Sequence, residues 1–141
     1  MKGFSTTIEI NANPNTIWEI LTESSNYHDW NKSVEKIEGN IAVGEKIKVY
    51  AKISPDRAFP VKVKEFVPSS KMVWCGGMPF GLFQGVRTFT LTERNNGQVE
   101  FRMQEEFSGL MSPLIVRSMP DLTESFELFA SSLKAKAESV A

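Results

Sequence analysis

An arginine and a glutamate facing each other on the apolar side of a hairpin can hold an organic anion, and the sequence sets up such a pair at Arg87 and Glu105. The assignment follows from one turn. Asn95-Asn96-Gly97 signals a tight reversal, because Asn and Gly tolerate positive φ, and alternating segments flank it on both sides. With those three residues as the loop, Arg94 faces Gln98, and the ladder continues outward through Leu91 with Phe101, Phe89 with Met103, and Arg87 with Glu105. A one-residue slip sets the apolar face of one strand against the polar face of the other, which burial forbids. The pair therefore shares a face with Phe89, Leu91, Phe101 and Met103. A charge on such a face is tolerable only with a partner. Two uses are open: a structural ion pair, worth ~0–1 kcal/mol if exposed, or Arg87 orienting a ligand carboxylate, phenolate or enolate while Glu105 holds the guanidinium.

The same reasoning at Val67-Pro68-Ser69-Ser70-Lys71-Met72 pairs Val67 with Met72 and puts Glu65 opposite Trp74, facing inward beside Val61 and Val63; a bulge would instead turn Glu65 to solvent. Two desolvated carboxylates, Glu65 and Glu105, would have raised pKa values and could serve in acid–base work, so Arg87, Glu105 and Glu65 are the catalytic candidates. Residues 76–85 combine four glycines with Met78, Phe80, Leu82 and Phe83. They lack the Gly-Lys-Ser/Thr of a phosphate loop, and suit either a lid at a cavity mouth or a turn that plugs its own core. Met111, Leu114 and Ile115 would form the opposite lip. His28 with Asp29 has no serine elbow beside it and reads as a surface or turn histidine. Cys75 alternates away from Trp74 and has no base to activate it. Lys46, Lys48 and Lys52, with Lys62 and Lys64 on the next strand, read as a solvated outer face.

The elements that must position these groups alternate between two periods. Residues 4–10 have a period of two, and so do 34–39, 45–54, 60–67, 71–77, 85–94 and 98–107, each bounded by Gly, Pro, Asn or Ser: seven strands. Between the first and second, Asn13-Pro14 opens a short helix carrying Ile17, Trp18 and Leu21, and Tyr27 and Trp30 sit in a second short helix or turn. From Ser112-Pro113 onward, apolar residues recur every three or four positions, from Ile115 through Phe126 and Phe129 to Val140. This predicts one amphipathic helix of roughly 28 residues, kinked near Val116–Pro120. Short connections imply an antiparallel sheet, and a helix of that length must lie across it. The fold class is therefore α+β: a seven-stranded curved antiparallel sheet wrapped around a long C-terminal helix.

Composition bounds the rest. The 141 residues fit a single domain, 1–141, and 41% hydrophobic with 23% charged residues is ordinary for a globular chain. Sixteen basic and seventeen acidic side chains leave no bulk positive field for nucleic acid. One cysteine and one histidine exclude an intrachain disulfide and a Cys/His zinc cluster. No apolar run approaches the ~20 residues of a membrane span, and the N-terminus lacks the pattern of a secretory signal. The chain is expected to be cytoplasmic, without metal or cofactor; its oligomeric state leaves no trace in the sequence.

The element order, Asn13-Pro14 with Trp18 behind it, Tyr27 and Trp30, Val67-Pro68 through Trp74, the Arg87-Thr88-Phe89-Thr90-Leu91 strand and Glu105-Glu106-Phe107-Ser108-Gly109 together resemble the START-like helix-grip superfamily, which includes polyketide cyclase/dehydrase and lipid-transport proteins. The resemblance covers essentially the whole chain. It implies a deep cavity between sheet and long helix that binds a hydrophobic small molecule such as a lipid, polyketide or quinone, catalytically in some members and as a carrier in others. Trp74, Phe89, Phe101, Met103, Met119, Leu122 and Phe126 would supply the apolar wall, Met78 and Phe83 the lid, and Arg87 with Glu105 the polar anchor. The alternative is an adaptor whose interior is filled by its own side chains and whose partner is another protein. Cyclase-like chemistry would leave no linear motif, so the residues leave enzymatic activity open.

Overall fold

The computed structural model describes residues 2–140 and contains seven strands and four α-helices. The strands are β1 (Lys2–Ile10), β2 (Val34–Glu38), β3 (Lys46–Ala51), β4 (Ala58–Val67), β5 (Lys71–Met78), β6 (Phe83–Glu93) and β7 (Val99–Ser108), and the helices are α1 (Pro14–Thr22), α2 (Tyr27–Trp30), α3 (Ser112–Ser118) and α4 (Thr123–Val140). All seven strands form one antiparallel sheet in the order β1-β7-β6-β5-β4-β3-β2, with α4 packed on its inner side. This is the expected curved sheet and helix. The first helix begins as the sequence requires: Asn13 Oδ1 accepts from the Asn15 amide at 2.8 Å, and Pro14, lacking an N–H, takes the first helical position.

Two local expectations are corrected. The C-terminal helix is broken rather than kinked. Pro120 disfavours helical geometry in the residue before it, and Met119 is extended (φ −78°, ψ 147°), so α3 stops at Ser118. Asp121 Oδ1 then accepts from the Thr123 amide at 2.9 Å and starts α4. The second correction concerns β4 and β5. Pro68-Ser69-Ser70 forms a three-residue turn with Ser69 at φ 62°, so Val67 pairs with Lys71 rather than Met72. A bulge between Val63 and Glu65 then sets Glu65 opposite Val73 and brings Phe66 round to face Trp18, ring centroids 5.4 Å apart. Glu65 points to solvent and pairs with Lys71 at 3.1 Å.

The core gathers around Phe129, midway along α4. Its ring stacks on Phe101 at 6.2 Å and lies 5.9 Å from Phe89, 5.9 Å from Trp30 and 6.1 Å from Tyr27. Tyr27 is fully buried; desolvation pushes its phenol far above its ordinary range, so it remains protonated and donates to the Leu21 carbonyl. The far end of α4 is tied to the end of β1, where Lys134 Nζ donates to the Glu9 carbonyl at 2.7 Å and Glu138 accepts from the Asn11 amide at 2.9 Å. Aromatic contacts on every side leave Phe129 little room to relax, so Phe129→Ala should cost about 3–5 kcal/mol of unfolding free energy, measured by urea denaturation.

Candidate functional site

The hairpin register is the one read from the sequence. Leu91 pairs with Phe101, Phe89 with Met103 and Arg87 with Glu105, and the Arg94 amide donates to the Gln98 carbonyl at 2.8 Å. Extended across the sheet, the pairings place Val63, Trp74, Arg87, Glu105 and Phe4 in one inward row over β4, β5, β6, β7 and β1. The row is apolar at both ends and charged in the middle.

Arg87 Nε donates to Glu105 Oε1 at 2.6 Å, and the side chains keep 21% and 15% exposure respectively. Among the described residues Glu105 is the acceptor that Arg87 engages, and it does so through Nε, leaving the two Nη groups with donors to spare. The guanidinium carbon sits 4.8 Å from the centroid of Phe126, in the first turns of α4, a cation–π contact that helps to hold the charge against the helix. Phe126 is itself 5.9 Å from Phe4, so both ends of the pair are roofed by aromatic rings. Trp74, directly across the ladder from Arg87, is buried, and its indole Nε1–H has no hydrogen-bond partner. An unpaired buried donor is costly.

One row further along, two glycines lie side by side: Gly76 on β5 and Gly85 on β6. A Cβ at Gly85 would lie 3.1 Å from Glu105 Oε2 and 3.2 Å from a Phe107 ring carbon, so the missing side chain is what lets the Glu105 carboxylate lean there. Beyond the glycines, Met78 pairs with Phe83, which stacks on Phe107 at 5.7 Å. A groove of about 320 Å³ lies against β1 and β7 and is lined mostly by residues of their outer face, Gly3, Ser5, Arg102, Gln104 and Glu106, with Phe4 and Glu105 between them.

The residues expected to wall a cavity divide into two groups. Trp74, Phe89, Phe101, Met103 and Phe126 are buried in one packed cluster. Met119, Leu122 and Phe83 are half-buried and Met78 is exposed, all nearer the glycine end and the α3–α4 break. Glu65 is not part of the site. His28 contacts Asp29 at 3.1 Å on the surface, and partial burial raises the Cys75 thiol above its ordinary range, against activation. The exposed lysines occupy the outer face of β3 and β4, with Lys46 opposite Lys62. Among the described residues no three His, Cys, Asp or Glu side chains converge closely enough to hold a metal ion.

Over residues 1–138 the sequence matches the family described as polyketide cyclase/dehydrase and lipid transport. The chain belongs to that family. No protein of curated function matches it in sequence. In structure it is similar to a hypothetical protein of Helicobacter pylori, jhp0584 (TM-score 0.78, 15% identity, 96% of this chain and 88% of that one). It is also similar to a START superfamily protein from Mycobacterium smegmatis (TM-score 0.70, 14% identity, 99% of each chain). A third likeness is to the Aha1 dimer from Colwellia psychrerythraea (TM-score 0.74, 21% identity, 98% of this chain and 97% of that one). At these identities the likenesses show the helix-grip fold. Family and fold are consistent with a domain for hydrophobic ligands, and no helix among the described residues is long and apolar enough to cross a membrane.

Part-buried ion pairs lose more when one partner is removed than when both are replaced by apolar groups. Glu105→Met alone should therefore destabilise the fold by roughly 1–3 kcal/mol, and the double variant Arg87→Met/Glu105→Met should recover most of that loss in chemical denaturation.

Proposed function

We propose that this protein binds a hydrophobic small molecule carrying an anionic oxygen, a carboxylate, phenolate or enolate, with the anion on the Arg87 guanidinium. The observation that carries this reading is the state of the inward row. Glu105 occupies Nε and fixes the plane of the guanidinium, while both Nη groups and the indole N–H of Trp74, the residue paired with Arg87 on the next strand, remain as donors. A planar fork matches a carboxylate or an enolate in geometry as well as charge. The apolar body of the ligand would lie towards Phe83, Phe107, Met119 and Leu122, at the end of the sheet beyond the glycine row. The family description, cyclase/dehydrase and lipid transport, suits such a ligand.

Such an anchor would act by charge stabilisation: a guanidinium that holds an enolate or phenolate more tightly than its neutral parent lowers the pKa of that parent, so that its proton passes more readily to water. The packed cluster of Phe89, Phe101 and Phe129 favours a second reading, an adaptor whose interior is its own side chains.

A fluorescent long-chain fatty acid and its methyl ester separate the readings. The acid should bind and the ester bind more weakly; Arg87→Leu should weaken the acid about tenfold or more, as expected for loss of a charge-assisted hydrogen bond, and leave the ester unchanged. Equal affinity for acid and ester, or an Arg87→Leu variant that folds and binds like the wild type, would overturn the anchor. No binding of either probe, with no ligand retained in native mass spectrometry, would favour the adaptor.

A further inference from the structure

The sheet ends in two edge strands, β1 and β2, and only β2 is guarded. It is five residues long, shifts register between Val34 and Lys36, and carries the exposed charges Lys36 and Glu38. Where it begins, Asn31 Oδ1 accepts from the Ser33 and Val34 amides at 2.8 and 3.0 Å. Such features keep an edge from pairing with another chain. From Gly3 to Ile8 β1 has none of them: its register with β7 is unbroken, and the stretch contains neither proline nor charge. At the far end of β1 the Glu9 carbonyl accepts from Lys134 Nζ at 2.7 Å, and the Asn11 amide donates to Glu138 at 2.9 Å. Odd-numbered residues therefore turn their backbone groups away from β7. The amides and carbonyls of Gly3, Ser5 and Thr7 share that direction. All three residues are exposed, and among the described residues no hydrogen bond reaches those groups from outside the β1–β7 ladder.

We propose that this edge pairs with the same edge of a second copy of the chain, antiparallel about a two-fold axis at Ser5, joining two sheets into one. The occupied Glu9 carbonyl sets the register. Lys134 closes the edge there, so the free stretch runs from Gly3 to Thr7 and its centre is Ser5. Ser5 then faces the partner's Ser5, and Gly3 faces the partner's Thr7 on either side of the axis. Each of these pairs exchanges two N–H···O bonds, about six in all, which satisfies every free group of the stretch. A two-fold contact matches one surface with itself, so a second copy supplies the complement automatically, whereas a different protein must offer an equally unguarded strand. On the outer side the facing residues are glycine, serine and threonine, so neither like charges nor bulky groups meet across the axis. On the inner side the half-buried Phe4 comes beside the partner's Thr6. Phe4 ends the inward row that begins at Val63, and the pairing carries that row on into the partner. The pairing does not depend on the ligand assigned to Arg87.

Sedimentation velocity over a concentration series tests it, with hydrogen exchange as an independent readout. The wild-type protein should pass from monomer to dimer as its concentration rises, and the Gly3, Ser5 and Thr7 amides should exchange roughly tenfold or more slowly in the dimer. Ser5→Lys puts two ammonium groups opposite each other and should weaken dimerisation roughly tenfold or more. Its melting temperature in dilute solution should be unchanged, because the side chain is exposed in the monomer. Ser5→Glu should behave in the same way, and an equimolar mixture of the two variants should recover the dimer, since lysine then faces glutamate. A protein that stays monomeric at every concentration, a dimer that Ser5→Lys leaves intact, or a mixture that does not recover association would overturn the proposal. So would a monomer whose three amides are already protected, which would show the edge covered from within the chain.

Discussion

Each strand of this sheet has one side towards α4 and the other in water, so the pairing register decides, residue by residue, what enters the interior. The turn at Asn95–Gly97 sets that register for β6 and β7, and its consequences run the length of both strands. Phe89, Leu91, Phe101 and Met103 become core, and Arg87 and Glu105 are carried in with them. Neither charge could enter alone. The 2.6 Å bond between them, the cover from Phe126 and their residual exposure make the arrangement tolerable, and the polar feature of the interior is thus tied to the apolar packing around it.

The interior has two characters along the strand direction. At the end held by Phe129, rings from α4, α2, β6 and β7 fill the space between sheet and helix. At the other end the inward positions fall to Gly76 and Gly85, the helix is interrupted between Ser118 and Thr123, and the loops beyond carry exposed apolar residues. The charged row lies at the boundary. The aromatic cluster around Phe129 holds the fold together, while the glycine row is closed over by Pro60 and Val61 from β4 and by Glu105 and Phe107 from β7.

Some of this arrangement could be read residue by residue. Arg87 opposite Glu105 followed from a local turn and an alternating pattern, since an asparagine-glycine turn leaves few choices of register. Glu65 did not, because Pro68-Ser69-Ser70 closes a three-residue loop through a serine in left-handed geometry and the strand then bulges, neither of which leaves a compositional mark. The break at Met119–Leu122 was legible as a disturbance at Pro120, but its extent depended on Asp121 capping a new helix. Phe4 beside Glu105, and the Trp74 indole without a partner, arise from pairings between distant segments or from the absence of a neighbour.

What the sequence determined by itself was the seven strands and their order, the apolar stripe of α4 and the register of one hairpin, because these follow from periodicity and turn chemistry within short spans of chain. The tertiary structure alone decided where the aromatic cluster closes around Phe129, which donors of Arg87 and Trp74 go unused, and which loops meet at one end of the sheet. Those properties depend on segments a hundred residues apart coming into contact, and on how completely side chains fill the space they enclose, neither of which is written in local spacing.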